Sequence, residues 1–329
     1  MRKSILAAGL LAAAAPAYAE DKTVLTVMTY DSFVSEWGPG PAVEAAFEAV
    51  CECDLQFVAA GDGAALLARL KLEGERSEAD VVLGLDTNLT AAATETGLFR
   101  THGMAQVPFD LPIDWQDPTF LPYDWGYFAF VHDADMADVP GNMKALGASD
   151  AKIVIQDPRS STPGLGLLMW VKAAYGDEAS AVWKALADNI VTVTPGWSEA
   201  YGMFLEGEAD MVLSYTTSPA YHLIAEEDDS KNAALFSEGH YMQVEVAGML
   251  AASDQPQLAE TFLSFMVTEG FQSIIPTTNW MYPAKTPEAG LPDGFETLIQ
   301  PTESLLFSAG EAAAARDAAL DEWLTALSR

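Results

Sequence analysis

Residues 209–222 read ADMVLSYTTSPAYH: an apolar strand, Met211-Val212-Leu213, ending in Ser214, Tyr215, Thr216, Thr217, Ser218, Pro219 and Tyr221. Rings at a strand end can stack a planar heterocycle and draw a cation over their faces, at about 0.5–2 kcal/mol per ring. Two more rings stand in comparable places, Trp197 in TPGWSEAYG and Trp280 in TTNWMYP, a loop read as joining two helices. One aromatic is most simply core packing; four on such loops point to a cleft wall. Asp62, in Gly61-Asp62-Gly63, precedes a helix and could be only its amino-terminal cap. Its glycines add what a cap does not need, close approach of a ligand to the backbone. Asp31 in TYDSF and Asp86 in GLD are weaker candidates of the same kind. In SSTPG, Ser160, Ser161 and Thr162 precede Pro163 at a helix start. Their hydroxyls and the free amides there would cap the helix or hold a hydroxyl or phosphate.

The sequence holds no set for covalent or metal chemistry. There is no Gly-x-Ser-x-Gly elbow, no His-Glu-x-x-His and no phosphate-binding Gly-x-x-x-x-Gly-Lys. GLGLLM falls inside a helix and lacks the rest of a dinucleotide fingerprint, so no cofactor is expected. His102, His132, His222 and His240 lack metal spacing, and Cys51 and Cys53 can be thiols or a bridge.

The elements that must position these residues alternate. TVLTVMTY, DLQFVAA and ADVVLGLD read as strands between the helices GPAVEAAFEAV, GAALLARLKLEG and LTAAATETGLF. WGYFAFVHD is a long strand suited to crossing between lobes. AKIVIQD, PGLGLLMWVKAAYG, IVTVT, WSEAYGMFLEGE and ADMVLSY repeat the strand–helix pattern, and YMQVEVAGML can return the chain. Apolar strands between helices imply parallel sheets covered on both faces, with ligands beyond the strand carboxyl ends. The expected fold is α/β with two lobes: 20–122 with 244–275 returning to it, and 123–243 with 276–329 packing mainly on it. The start, MRKSILAAGLLAAAAPAYA, is read as an export signal, residues 1–19, cleaved after Ala19. Its loss would leave 14 basic residues against 48 acidic ones, a net charge of −34. Such a field repels nucleic acid and anionic lipid and favours the approach of a cation.

TYDSF, WGPGP, ADVVLGLD, QDPRSSTPGLGLL, GWSEAYG, LSYTTSPAY, FSEGHY, QVEVA and NWMYP resemble the thiamine-binding periplasmic proteins of ABC transporters, from about Val24 to the closing EWLTALSR. The resemblance implies a two-lobed, type II periplasmic-binding-protein fold that holds thiamine or its phosphate esters between the lobes. It places binding positions at Asp62, Gly63, Ser161, Thr162, Trp197 and Tyr215, with Tyr30, Tyr221 and Trp280 as further walls. It implies a monomer serving an inner-membrane permease and its ATPase, with no catalysis. The rivals are a thiaminase-like enzyme with a cysteine nucleophile, and a binder of another cation, a polyamine or ferric iron.

Overall fold

The computed structural model describes residues 22–104 and 107–328. The expected export signal lies outside the described residues. In chain order come β1 (Val24–Thr29), α1 (Gly40–Cys51), β2 (Asp54–Ala59), α2 (Gly63–Glu73), β3 (Val81–Asp86), α3 (Thr90–Thr94), β4 (Phe99–Arg100) and β5 (Leu121–Asp133). Next are α4 (Met143–Gly147), β6 (Ile153–Gln156), α5 (Thr162–Tyr175), α6 (Ala179–Leu186), β7 (Ile190–Thr194), α7 (Trp197–Leu205), β8 (Met211–Tyr215), β9 (Lys231–Ala233) and β10 (His240–Leu250). The last are α8 (Pro256–Met266), α9 (Glu269–Gln272), α10 (Ile275–Thr278), β11 (Tyr282–Pro283), β12 (Ser304–Leu305) and α11 (Ala309–Leu327).

Hydrogen-bonded neighbours run β2-β1-β3-β10-β5-β8-β6-β7. β1 lies parallel to β2 and β3, and β6 parallel to β7 and β8, so each lobe has its own parallel set. The 13-residue β5 belongs to both. Its residues 121–127 pair antiparallel with β10, and 128–132 with β8. β10 in turn pairs with β3, so these two strands carry the chain between lobes.

Alternation along β1 explains the first lobe. Leu25 and Val27 join Val43 and Phe47 of α1 and Phe262 and Leu263 of α8, whereas Met28 clusters with Leu66, Leu67 and Leu70 of α2. Successive side chains point to opposite faces, so both faces of the sheet are covered. In the second lobe every residue of α5 from 162 to 171 is buried, as suits a helix that is apolar all round.

Two expectations change and one open question closes. LTAAATETGLF is not one helix: α3 stops after five residues, and beyond Gly97, at φ +69°, β4 joins β10. Glycine tolerates that left-handed turn, and pairing to the sheet edge holds Phe99 and Arg100 extended beyond it. Of 276–329, expected mainly on the second lobe, α11 packs on α5 and α6. Met281, however, fills the first-lobe core, and β11 pairs with β5 at Asp124 and Trp125. Cys51 and Cys53, whose pairing the sequence leaves open, form a disulfide at the end of α1.

Candidate functional site

The polar clusters gather where the strands end. Residues 30–31 come after β1, 60–62 after β2, Asp86 ends β3, 157–161 come after β6, 195–196 after β7, and 214–221 span the end of β8 and the turn beyond it. Helix amino termini arrive on the same side, as they must in parallel strand–helix units. Between the two sets lies a cavity of about 300 Å³.

Seven of the nine expected ligand residues line it: Tyr30, Asp62, Thr162, Trp197, Tyr215, Tyr221 and Trp280. Gly63 and Ser161 do not; they bind one lobe to the other. The Gly63 N–H donates to Thr162 Oγ1 (3.1 Å) and the Ser161 hydroxyl to Asp62 Oδ2 (2.7 Å). The Trp197 N–H donates to the same Asp62 oxygen (3.1 Å), and the Ala65 N–H to the Ser160 carbonyl (3.0 Å). A Cβ at Gly63 would meet Thr162 Oγ1 at 2.6 Å, so the contact needs glycine. Asp62 makes no side-chain bond to its own helix α2. It accepts instead from the starts of α5 and α7 on the opposite lobe. Burial pushes its carboxyl up to about 6, against the pull of the Ser161 and Trp197 hydrogen bonds. Of the weaker candidates, Asp31 accepts from the Gly61 N–H (2.9 Å), and Asp86 accepts from the Asn88 N–H (3.1 Å) and side-chain amide (2.9 Å). Both serve turns.

The rings are held from behind. Trp197 stacks on Tyr201 (centroids 5.0 Å apart, 27° between planes) and lies 6.0 Å from Trp37 of the first lobe. Its Nε1–H donates to Ser214 Oγ (2.8 Å), itself 2.7 Å from Ser218 Oγ. The hydroxyls of Ser214 and Ser218 thus anchor the wall, and the rings present it. Tyr201 reaches His222 Nε2 (2.9 Å), whose Nδ1 lies 2.7 Å from Glu226 Oε2. With Nδ1–H donating to the carboxylate, Nε2 accepts from the Tyr201 hydroxyl and fixes the ring behind Trp197. Tyr215 stacks on Phe128 (5.1 Å, 30°) and donates to Gln243 Oε1 (2.9 Å).

Tyr221 opens a π-turn, Tyr221–Ala225, a local irregularity common at functional sites, and meets Trp280 edge-on at 5.5 Å. Trp280 links α10 to β11 rather than two helices, at φ +55°. That region is unfavourable for a bulky residue, and such strain concentrates where a ring must be aimed. Tyr30 lies on the backbone of Gly84 (φ +102°), where a Cβ would run into its ring.

Sequence reasoning missed Trp37, Tyr201, Gln243, Glu245 and Asn279, all of which line the cavity. Gln243 and Glu245 carried a signal: two polar residues two apart share one face of an otherwise apolar strand. Trp37, in a tight turn, carried none. The lining residues include no Lys, Arg or His. Rings, hydroxyls and carboxylates of this kind suit a flat organic cation.

Residues 39–273 match the family described as bacterial extracellular solute-binding protein. The chain is 56% identical over 323 residues to a thiamine-binding periplasmic protein of Salmonella typhimurium, covering 97% of this chain and 98% of the relative. A protein of the same description from Haemophilus influenzae is 41% identical, with 86% of each covered. Among solved structures, a periplasmic thiamin binding protein superposes with a TM-score of 0.92 at 54% identity, covering 96% of this chain and 100% of that one. Iron-bound HitA from Pseudomonas aeruginosa shares the fold, with a TM-score of 0.75 at 18% identity over 92% of this chain and 99% of that one.

Proposed function

Because the chain belongs to the bacterial extracellular solute-binding proteins, we propose that it captures thiamine between its lobes in the periplasm and delivers it to an inner-membrane permease driven by an ATPase. The observation that carries this is the cavity itself, about 300 Å³, walled by Trp197, Tyr215, Tyr221, Trp280 and Tyr30 and containing Asp62 and Glu245 without a basic side chain. Thiamine brings a flat aminopyrimidine, a cationic thiazolium and a hydroxyethyl arm. The rings can sandwich the heterocycles, and the carboxylates can offset the charge. Thr162 and the starts of α5 and α7 can take the hydroxyl or a phosphate, so the mono- and diphosphate belong to the proposal. The relatives named for thiamine support the same reading. Capture without turnover fits the cysteines: Cys51 and Cys53 are bonded to each other and absent from the cavity lining, leaving no thiolate there to attack thiamine. Incubation with thiamine and an amine nucleophile should leave thiamine intact.

Titration calorimetry with thiamine, its phosphates and spermidine tests the proposal. One saturable site for thiamine is expected, with spermidine at least ~100-fold weaker for want of stacking. Equal or tighter spermidine binding would favour a polyamine carrier. Gly84→Ala, by displacing the Tyr30 ring, should lower thiamine affinity roughly tenfold. Unchanged affinity would remove Tyr30 from the wall.

A further inference from the structure

Beneath the rings the floor of the cavity holds two carboxyls that stacking does not use. Asp124 on β5 and Glu245 on β10 are direct cross-strand partners. Asp124 is fully buried and Glu245 is 5% exposed, lining the cavity. Every neighbouring donor is neutral. Glu245 Oε2 accepts from the hydroxyls of Tyr123 (2.6 Å) and Tyr30 (2.9 Å), and Asp124 Oδ2 from the Asn279 amide (2.6 Å). Asp124 Oδ1 receives no hydrogen bond from any of these groups. The titratable side chains facing the pair are Tyr30 after β1, Asp86 of β3, Tyr123 of β5 and Tyr215 of β8, none of them basic.

Two adjacent buried carboxylates without a counter-ion cannot both stay ionised. One proton between them satisfies Asp124 Oδ1 and leaves a single negative charge facing the cavity. Burial, the main cause, and Asp86 push Glu245 up, against the Tyr123 and Tyr30 hydroxyls and the bond to Asp124. Burial and Glu245 push Asp124 up as well. We infer that Asp124 and Glu245 share one proton until a cation settles above them, and release it to solvent when it does, which makes the pair the selector for positive charge. This rests on the proposed function, a thiamine-like cation in the cleft. The cation favours the fully ionised pair, so the complex holds the proton less tightly than the free protein. Affinity therefore rises with pH, by up to about tenfold per unit, wherever the free pair still holds its proton and the complex has released it.

Calorimetry of thiamine binding in buffers of different ionisation enthalpy counts the proton. Near pH 7.5, where Asp62, standing at about 6, is already ionised, release of up to about one proton per thiamine is expected. Release should persist in Asp62→Asn, which separates the pair from the other cavity carboxylate, and vanish in Glu245→Gln or, should that variant not fold, Asp124→Asn. Thiamine binding with no proton released near pH 7.5 overturns the inference and leaves the proposed function standing. Release lost in Asp62→Asn and kept in Glu245→Gln overturns the assignment to this pair. No thiamine binding at any pH removes the proposed function and this inference with it.

Discussion

Trp197→Ala should weaken thiamine binding by about 2–4 kcal/mol, the largest loss from any single ring of the wall. Three things put Trp197 ahead of the others. Its plane is fixed from behind by Tyr201, its indole nitrogen is tied to Ser214, and it approaches Trp37 from the opposite lobe. A ring preorganised in this way loses little freedom when a ligand stacks on it, so most of the stacking energy appears as affinity. Stability should change less, because Trp197 only flanks the small cluster around Val131, Val154 and Phe204. Trp197→Phe keeps the face and loses the bond to Ser214, and should cost only about 1 kcal/mol. Titration of each variant, alongside thermal unfolding without ligand, separates the roles. Full affinity with a lowered melting temperature would make Trp197 a core residue.

Asp62→Asn should raise stability and lower affinity together. The Asp62 carboxyl stands at about 6 against an ordinary 3.8, so the charged form is less stable in the folded protein than in the unfolded chain. For an acid whose folded value is raised, this penalty is complete above about 6 and is gone below 3.8. From the shift it is on the order of 2–3 kcal/mol at neutral pH, less where solvent in the cavity reaches the carboxylate. Asparagine still accepts from Ser161 and Trp197 but carries no charge. The variant should therefore melt a few degrees higher at pH 7, with the gain shrinking through the window from about 6 to 3.8. Thiamine, a cation, should bind it about tenfold or more weakly. A destabilised variant with full affinity would mean that the charge serves only the contact between lobes.

Much of this architecture could be read in the sequence because its signals are local. Apolar runs such as VVLGLD, with helical patterns between them, carry the parallel strands, and the length of WGYFAFVHD announces the crossing. Tyr30, Trp197, Tyr215 and Tyr221 were legible because each stands at or shortly beyond a strand end, and Trp280 as a ring in a loop. The floor was not. Asp124 lies inside a strand that otherwise reads as core, and its meaning comes from Glu245, 121 positions away in sequence and opposite it in register. Nor could local sequence show that Asp62 serves the starts of α5 and α7 instead of α2, since a cap across a cleft has the same local pattern as an ordinary one. The Tyr201–His222–Glu226 support joins residues whose spacing matches no motif.

At the centre of the proposed function, one organic cation is held by both lobes at once. Crystals grown with thiamine test it most directly. Ring density is expected in the cavity, in contact with Tyr30 from the first lobe and with Trp197 and Tyr215 from the second, and with its positive charge toward the Asp124–Glu245 floor. Thiamine density outside this cavity, or against the residues of one lobe alone, would contradict it.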